Sequence, residues 1–480
     1  MQVIDSILRH QFYSPDRTAF SENDTNVSYR SFFVHAERIR NVLLHHGVKP
    51  GDSVALLLPR GISAACCIYG TLFAGACYVP MDIQNPVSRL SYIIGDVQPH
   101  CVIGDGERPD WCSASVAWID INDPAFFKDE PQDDVDVIYR SGAEDIAAIL
   151  YTSGSTGNPK GVSISCRAID AFVDWSSTTF GITANDRIAA LAPFHFDLSL
   201  FDLFTGIHCG AHTCFVPQSL TLSPARLVAW LEDSAITSWY TVPSILGFLA
   251  MRGGLAPGRL PEMKRILFAG EVFPLPGLVK LANALPDVAL YNLFGPTETN
   301  VCTYWPVERT RLGALETIPI GGVACKAGLM VNDEGELLVK GPCVMSGYWQ
   351  DGDIRTAQEQ WYHTGDRVAY NDRGELLYLG RMDRMIKSSG YRIEPAEIEA
   401  VINRFEPIQG SVVIGERDPI SGQRLVAAVV ASDSLALNEL RIHLKQNLAP
   451  YMQPYRIVQL DALPLLTNGK VDYQAVAEMI

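Results

Sequence analysis

The sequence has 480 residues, of which 48% are hydrophobic, and its formal net charge at pH 7 is −16. A chain of this length exceeds one ordinary hydrophobic core and its apolar content excludes wholesale disorder, so we expect two or more folded domains. The acidic balance argues against nucleic acids as partners and against docking on anionic membrane surfaces.

The first 81 residues raise the questions of targeting and of membrane insertion. The opening segment MQVIDSILRHQF lacks a basic stretch followed by an apolar core, so we expect no signal peptide. The eleven cysteines are an odd number without regular spacing, which favours reduced thiols and a cytoplasmic location. Residues 61–81 carry no charge and could span a bilayer, but they are rich in Ala, Gly and Cys and lack flanking aromatic belts. We therefore expect a buried helix that ends before Pro80.

Strand-like and helix-like patterns alternate between residues 145 and 300. Apolar runs predict strands in DIAAILY (145–151), RIAALAPF (187–194), ITSWYTV (236–242), RILFAG (265–270) and VALYNLF (288–294). Helical spacing predicts a helix in SCRAIDAFVDW (165–175) with Ser165 as its N-cap. A second helix is predicted in LSPARLVAWLEDSA (222–235), with Ser223 as its N-cap and Pro224 at its first position. This alternation predicts doubly wound α/β sheets, which bind ligands beyond the carboxyl ends of their strands.

The pattern changes beyond residue 315. The segments VNDEGELLVKG (331–341) and VAYNDRGELLYLG (368–380) read as strand–turn–strand and predict a small antiparallel β subdomain. From residue 383, helical EPAEIEAVINRF (394–405) and LNELRIHLKQNL (437–448) alternate with strand-like GSVVIGE (410–416) and RLVAAVVA (424–431). We therefore expect an N-terminal core over residues 1–382 and a small α+β C-terminal domain over residues 383–480.

The loop YTSGSTGNPKG, residues 151–161, directly follows a predicted strand. Its glycines and small hydroxyl residues let backbone N–H groups converge on an anion, and Lys160 adds a positive charge. A phosphate-binding loop is the natural interpretation, although a flexible surface turn has the same composition. It is not a Walker loop, because Gly and Lys are not adjacent before Ser or Thr. It is not the nucleophile elbow of a hydrolase, because position 153 is Ser rather than Gly.

Seven further segments, together with this loop, resemble the adenylate-forming superfamily of amino-acid adenylation enzymes, acyl-CoA ligases and luciferases. They occur in that family's order: LFAGACYVPMD (72–82), FHFDLSLFD (194–202), NLFGPTE (292–298), GELLVKG (335–341), YHTGD (362–366), GRMDRMIKSSGYRIEPAEIE (380–399) and LPLLTNGKVD (463–472). The family joins a carboxylate to the α-phosphate of ATP, releases pyrophosphate and passes the acyl group to a thiol. The resemblance covers nearly the whole chain.

The resemblance implies a site for ATP and Mg²⁺. The residues expected to hold the phosphates are Thr152, Ser153, Gly154, Ser155, Thr156, Gly157 and Lys160. Asn292, Phe294, Gly295 and Thr297 should border the nucleotide, with Phe294 where the family often has Tyr. Asp366 should accept hydrogen bonds from the ribose hydroxyls, with Arg381 close by. Glu298 matches the acidic residue that coordinates Mg²⁺, a hard cation that prefers oxygen ligands.

The resemblance also implies a moving C-terminal domain. Lys470 matches the lysine that bridges the substrate carboxylate and the α-phosphate, where a cation stabilises developing charge; on burial statistics alone it would be an ordinary exposed lysine. Asp383 matches the hinge about which the domain swings between adenylation and thioester formation. In the second state Lys470 leaves and the segment near Lys387 and Gly390 enters.

The expected substrate pocket contains one carboxylate. Asp197 occupies the position that pairs with the α-ammonium group in amino-acid activators, and a carboxylate in an apolar pocket is costly without a cation. An N-cap before LSLFDLF is the alternative role for Asp197. The other pocket positions are Leu198, Phe201, Tyr240, Leu267, Ala269, Leu293, Val301 and Cys302. This set is similar to that of free-standing prolyl-adenylating enzymes, apart from Phe201 in place of their usual Leu. It implies L-proline as substrate, with valine or alanine as alternatives.

The chain ends soon after Lys470 with no carrier-type serine motif, so the resemblance implies a separate phosphopantetheinylated carrier protein as acceptor. An acyl-CoA ligase acting on a small carboxylic acid is an alternative, disfavoured by Asp197. A non-catalytic nucleotide-binding module is another, disfavoured by the complete set Lys160, Glu298, Asp366 and Lys470. The His and Cys residues of HCGAHTC (208–214) fit no zinc-ligand spacing.

Overall fold

The structure is a computed structural model that describes residues 1–123, 138–154, 158–355, 361–418, 422–431, 436–465 and 471–480. The first elements are α1 (Gln2–Tyr13), β1 (Thr18–Glu22), β2 (Thr25–Ser28), α2 (Tyr29–His45), β3 (Ser53–Leu57), α3 (Ile62–Phe73), β4 (Cys77–Pro80), α4 (Val87–Val97), β5 (Cys101–Gly104), β6 (Ala117–Asp120) and β7 (Ile146–Thr152). The central elements are β8 (Lys160–Ser165), α5 (Cys166–Thr179), β9 (Arg187–Ala190), α6 (Gly206–Cys209), β10 (His212–Phe215), α7 (Pro224–Asp233), β11 (Ser238–Thr241), α8 (Pro243–Arg252), β12 (Arg265–Phe268), α9 (Leu275–Ala284), β13 (Ala289–Phe294) and β14 (Thr303–Pro306). A π-helical turn at Phe201–Thr205 precedes α6.

The remaining elements begin with an antiparallel region and end with the C-terminal α+β region. They are β15 (Pro319–Val323), β16 (Gly328–Val331), β17 (Glu336–Lys340), β18 (Gly347–Gln350), β19 (Asp353–Arg355), β20 (Tyr362–Tyr370), β21 (Leu376–Arg381), β22 (Ile386–Ser388), β23 (Tyr391–Ile393), α10 (Pro395–Ile402), β24 (Ile408–Asp418), β25 (Gly422–Ala431), α11 (Leu437–Asn447), β26 (Arg456–Gln459) and α12 (Tyr473–Met479).

The described strands form two large sheets and two small ones. The first large sheet has the order β16-β17-β20-β21-β15-β14-β13-β12-β11-β9-β10-β1-β2, and its central strands β13 to β10 are parallel. The second has the order β19-β18-β8-β7-β4-β3-β5-β6. Strands β22 and β23 form a separate hairpin, and β24, β25 and β26 form the sheet of the C-terminal region. The predicted α/β class with an α+β C-terminal region is confirmed.

Most of the helices and hairpins predicted from the sequence are present in the structure. Ser165 caps α5 by accepting a hydrogen bond from the Ala168 N–H, and Pro224 is the first residue of α7. Ser223 occupies the N-cap position of α7, but within the described residues its side chain makes no capping hydrogen bond. The two predicted hairpins are present as β16–β17 and β20–β21. They extend the first large sheet through β15 instead of standing apart from it.

The uncharged segment 61–81 folds differently from the expected single helix. Helix α3 ends at Phe73, a turn with Gly75 at φ +79° follows, and β4 begins at Cys77. The length of the segment therefore reflects a helix and a strand that are both buried. Apart from Ser63, every residue of α3 is buried, because the helix packs inside the main core against α2. In the described part of the chain, each helix is too short or too polar to cross a lipid bilayer.

Candidate active site

A cavity lies where the parallel strands of the first large sheet end. Tyr240 belongs to β11, Ala269 directly follows β12 and Gly295 directly follows β13, so three neighbouring strands deliver residues to one wall. Thr152 and Ser153 reach the same cavity from β7 of the second sheet. Asp197, Leu198 and Thr297 complete the predicted residues of this wall. The predicted loop and pocket therefore meet at the carboxyl ends of the strands, as expected for α/β sheets.

Two glycines lie where the neighbouring backbone leaves no room for a side chain. A Cβ atom on Gly154 would lie 2.0 Å from the carbonyl oxygen of Asn158. A Cβ atom on Gly295, which lines the cavity, would lie 2.0 Å from the carbonyl oxygen of Asn300. Both oxygens belong to the backbone and cannot move aside easily, so a side chain at either position would require the backbone to shift.

Asp197 is an acidic residue that lines the cavity. Burial raises the pKa of its carboxyl to about 6, and the nearby Glu298 charge acts in the same direction. The Thr297 hydroxyl, the Leu198 N–H and the Lys387 ammonium oppose this rise. Burial therefore disfavours the charged form of this carboxyl, and an additional cation at the cavity would stabilise that form. Such a position suits recognition of an ammonium group.

Glu298 is buried and ion-paired. Its carboxylate contacts the Arg392 guanidinium at 2.8 Å and accepts a hydrogen bond of 2.7 Å from the Tyr348 hydroxyl. Burial by itself raises the pKa of Glu298, but Arg392 and Tyr348 outweigh it and hold the pKa below its ordinary value. The Lys160 ammonium lies 5.6 Å from the centre of the Tyr348 ring, so this predicted phosphate ligand is close to the same cluster.

Asp366 and Arg381 meet across the β20–β21 pair. Nη1 of Arg381 lies 3.0 Å from Oδ1 of Asp366, and the Asp366 side chain is fully buried. Among the described residues, neither carboxylate oxygen of Asp366 accepts a hydrogen bond. Arg381 also donates from Nε to Asp383 at 2.8 Å, so the predicted hinge residue is tied to the predicted ribose site. A buried carboxylate that is ion-paired with Arg381 but accepts no hydrogen bond among the described residues fits a ligand that brings hydroxyl groups.

A second compartment adjoins the cavity and is lined by Asn292, Leu293, Phe294, Gly295 and Tyr378. Lys387 lines both compartments, with its ammonium 5.1 Å from the Phe294 ring centre and 5.7 Å from that of Tyr378. Burial lowers the pKa of Lys387. The flat, partly aromatic walls of this compartment suit a planar heterocycle.

The β22–β23 hairpin of the C-terminal region enters the cavity. Gly390 and Arg392 line its wall, and the Gly390 N–H donates to the Glu271 carboxylate at 2.8 Å. The Ser153 hydroxyl donates to the carbonyl oxygen of Arg392. This is the arrangement expected when the segment near Lys387 and Gly390 has entered.

The remaining predicted pocket residues lie behind the wall. Phe201 is buried and packs edge-on against Tyr240, with ring centres 5.9 Å apart. Leu267, Val301 and Cys302 are also buried in the core, and burial raises the pKa of the Cys302 thiol to about 12. These residues shape the cavity by supporting its lining residues. Ser155, Thr156, Gly157 and Lys470 lie outside the described residues.

The sequence did not predict which residues contact Glu298. It also did not predict which residues contact Lys387, the neighbour of Asp197. Arg392 is 94 residues from Glu298 along the chain and Tyr348 is 50 residues away, so no local periodicity relates them. Glu271 was missed for the same reason, since its contact with Gly390 spans 119 residues. The segment GYRIEP, in which two residues separate Arg392 from Pro395, was the sequence feature that could have pointed to Arg392. It does not indicate which residue Arg392 contacts.

A second cavity shares His195 and Tyr391 with the first. Asp82 also lines it, with its carboxylate 3.8 Å from Nε2 of His195. Burial lowers the pKa of His195, and within the described residues Nε2 has no hydrogen-bond partner. The shared residues show that the two cavities adjoin each other.

Comparison with known proteins gives a consistent result. The profile of the family described as AMP-binding enzyme matches residues 9–349, and that of the AMP-binding enzyme C-terminal domain matches residues 397–470. An L-proline--[L-prolyl-carrier protein] ligase of Streptomyces coelicolor is 37% identical to this chain, with 95% of this chain and 93% of that protein covered. A protein of the same name from Pseudomonas fluorescens is 36% identical, with 97% of each covered. The solved structure of o-succinylbenzoate CoA synthetase from Bacillus subtilis has a TM-score of 0.87 over 98% of both chains at 22% identity, which shows the shared fold.

Proposed function

Because this chain belongs to the family of AMP-binding enzymes, we propose that it is an ATP-dependent ligase for L-proline. It activates the amino acid to prolyl-AMP with release of pyrophosphate. The phosphopantetheine thiol of a carrier protein then attacks the prolyl carbonyl carbon and loses its proton, the acyl–phosphate bond breaks, and AMP leaves as the prolyl thioester forms. Two relatives that are 36–37% identical over nearly the whole chain carry the name of this reaction.

The observation that carries the proposal is the position of Asp197 in the cavity wall. A buried carboxylate is costly unless a cation pairs with it, and the ammonium group of an amino acid supplies that cation. Leu198, Tyr240 and Ala269 give the adjoining wall an apolar character, with Phe201 packed behind Tyr240. A small apolar side chain fits these walls, and the ring of proline is such a group.

The nucleotide is proposed to bind across the two compartments. Its adenine would lie between Phe294 and the wall that contains Asn292, and its ribose hydroxyls would donate to the carboxylate of Asp366. Thr152, Ser153, the rest of the loop and Lys160 would hold the phosphates. Backbone N–H groups and one ammonium neutralise phosphate charge without forming a covalent intermediate.

Mg²⁺ is proposed to bind at Glu298 together with the phosphates. One carboxylate plus phosphate oxygens is a usual ligand set for this ion, so the residue type fits. When bound, the ion would neutralise charge on the phosphate oxygens. In the described arrangement Arg392 holds both oxygens of Glu298, so the metal fits only after this pair has opened.

The chemistry then follows from position and charge. A carboxylate oxygen of proline attacks the α-phosphorus, the acyl–phosphate bond forms and pyrophosphate leaves. Asp197 fixes the nitrogen end of proline and thereby directs the carboxylate at the nucleotide. Lys470, outside the described residues, remains predicted to bridge the carboxylate and the α-phosphate in this step.

The thiol is proposed to approach through the second cavity. Among the described residues that line it, the cation is Arg60, and its guanidinium already donates to the carbonyl oxygens of Leu191 and Val216. Coenzyme A brings a phosphorylated adenosine diphosphate that would require cations, whereas a carrier arm brings a single phosphodiester. The lining therefore supports a carrier protein over coenzyme A.

The domain boundary and the cellular location are further proposals. We place the boundary at residues 382/383, because β21, the last strand of the N-terminal sheet region, ends at Arg381 and one residue separates it from Asp383. All eleven cysteines are free, and ten of them are buried, which suits the reducing cytoplasm.

ATP–pyrophosphate exchange with each amino acid tests the activation step. We expect the strongest exchange with L-proline and weaker exchange with valine and alanine, because an apolar pocket separates near analogues by only about 1–3 kcal/mol. Strong exchange with phenylalanine or aspartate and none with proline would overturn the assignment. Parallel assays with coenzyme A and with a phosphopantetheinylated prolyl carrier protein identify the acceptor. Loading of the carrier protein would decide against an acyl-CoA ligase, and acylation of coenzyme A alone would decide for one.

A further inference from the structure

A buried ion pair joins the two parts of the molecule at some distance from the reacting groups. The Arg89 guanidinium on α4 contacts the Glu397 carboxylate on α10. Their side chains are 7% and 9% exposed, and 308 residues separate them along the chain. The pair therefore links the N-terminal core to the C-terminal region across the predicted hinge at Asp383.

An aromatic column runs from this pair to the substrate cavity. Tyr451, whose hydroxyl interacts electrostatically with Arg89, stacks on Tyr391 with ring centres 3.9 Å apart. Tyr391 in turn packs edge-on against Phe196 at 4.6 Å, beside Asp197. Tyr391 belongs to the hairpin that occupies the cavity. The position of α10 relative to α4 is thus connected to the position of the hairpin through the electrostatic interaction of Arg89 with Tyr451 and the stacking of Tyr451 on Tyr391.

We propose that Arg89 and Glu397 are positioning residues that select the orientation of the C-terminal domain in which the prolyl group is transferred to the thiol. The inference rests on the proposed two-step function. The Arg89–Glu397 pair takes no part in prolyl-AMP formation under this proposal. Neither residue lines the substrate cavity or the nucleotide compartment in the described structure.

The energetics of buried charge support a role in orientation. A buried ion pair adds little stability compared with apolar residues of similar size, but removing one partner leaves a charge that water cannot reach. The penalty therefore falls on the one orientation in which both groups are buried together. When the domain rotates about Asp383, Arg89 and Glu397 separate and water can solvate both. Neutralising either residue thus shifts the population away from the transfer orientation.

The test compares two half-reactions in Glu397→Gln, Arg89→Gln and the charge swap Arg89→Glu/Glu397→Arg. We expect the single-turnover rate of transfer from preformed prolyl-AMP to a phosphopantetheinylated prolyl carrier protein to fall at least tenfold in each single variant. ATP–pyrophosphate exchange should stay within twofold of the wild-type rate, and the swap should recover at least a third of the transfer rate. Glu416→Gln is the matched control, because Glu416 pairs with Arg456 inside the C-terminal region and should leave both rates unchanged.

Equal losses in both half-reactions, or transfer that is unchanged in both single variants, would overturn the inference. A readout without substrates keeps it independent of the proposed function. In amide hydrogen exchange on the free protein, the Gly390 N–H should exchange at least fivefold faster in Glu397→Gln, because the hairpin leaves Glu271 more often. Unchanged exchange there would also refute the inference. Absence of carrier loading by the wild type, with faster Gly390 exchange in the variant, would instead locate the failure in the proposed function.

Discussion

Nη1 of Arg392 lies 2.8 Å from one carboxylate oxygen of Glu298 and 2.9 Å from the other. Arg392 belongs to the mobile C-terminal region proposed above, and Glu298 is the residue proposed to bind Mg²⁺. Under these proposals, one carboxylate would serve two different cations in two orientations of the domain. The charge on Glu298 would stay compensated in both, which is what a buried carboxylate requires.

Replacing Arg392 by Gln should impair transfer more than activation. The neutral side chain would leave Glu298 buried without its cation in the described orientation, at a cost of about 3–5 kcal/mol. We expect carrier loading to fall by about 100-fold or more, with a smaller loss in ATP–pyrophosphate exchange. The measurement is the ratio of the two rates in one preparation of enzyme.

Arg311→Gln provides the control for that ratio. Arg311 pairs with Glu375 at 2.7 Å inside the predicted N-terminal core, and neither residue lines the cavity or the adjoining compartment. Its loss should lower the thermal stability but reduce both half-reactions in proportion. A constant ratio in Arg392→Gln as well would show that the Glu298 contact has no influence on the orientation of the domain.

Asp197→Asn should remove the preference for an amine. A lost buried charge pair of about 2–5 kcal/mol corresponds to roughly 30-fold to several thousand-fold in kcat/KM for proline. Cyclopentanecarboxylate has a similar ring without the nitrogen, and its slow activation should change much less. The measurement is pyrophosphate release with both acids. Equal losses for both would indicate that Asp197 supports the cavity structurally instead of binding the ammonium group.

The pH dependence of proline activation should report the same carboxyl group. Because burial raises the pKa of Asp197 to about 6, the group is charged above that pH and neutral below it. The neutral form cannot pair with the substrate cation, so kcat/KM for proline should fall about tenfold per pH unit below about pH 6. The Asp197→Asn variant should not show this fall in kcat/KM at low pH. If the fall persists in the variant, another group is responsible for it.

Gly295→Ala should disrupt the turn that follows β13. The added Cβ atom would lie 2.0 Å from the Asn300 carbonyl oxygen, so the backbone between these residues must shift. We expect a loss of at least tenfold in pyrophosphate exchange together with a lower Tm. Gly95→Ala in α4 is the control, because no atom lies within 4 Å of its Cβ position and alanine favours a helix by about 0.5–1 kcal/mol. That variant should keep its activity and equal or exceed the wild-type Tm.

The sequence predicts much of the fold because each local signal agrees with its surroundings. Apolar runs such as 145–151 become buried strands, and Ser165 caps its helix with the expected hydrogen bond. The prediction of a single helix in the uncharged segment 61–81 was wrong, because hydropathy indicates burial but not whether the periodicity is that of a helix or of a strand. A buried helix and a buried strand that follow each other look the same as one long helix.

The functional site likewise has residues that the sequence predicts and contacts that it does not predict. Residues carried by short contiguous motifs, such as Thr152 and Asp197, lie at the cavity as expected. The contacts of Glu298 with Arg392 and of Arg89 with Glu397 could not be predicted, because they depend on how two parts of the chain meet. No spacing or periodicity along the sequence encodes the relative orientation of the two regions.

Asp383→Pro should separate the two half-reactions at the hinge. Asp383 accepts hydrogen bonds from Arg381 and from the Met385 N–H, and its backbone must change conformation for the domain to rotate. Proline fixes φ near −65°, so we expect prolyl-AMP to form while carrier loading falls by at least about 100-fold. Asp383→Ala removes the same carboxylate but leaves the backbone free, and it should load the carrier within about fivefold of the wild-type rate. Normal loading by Asp383→Pro would place the hinge elsewhere, and equal impairment of both variants would assign the effect to the contact with Arg381.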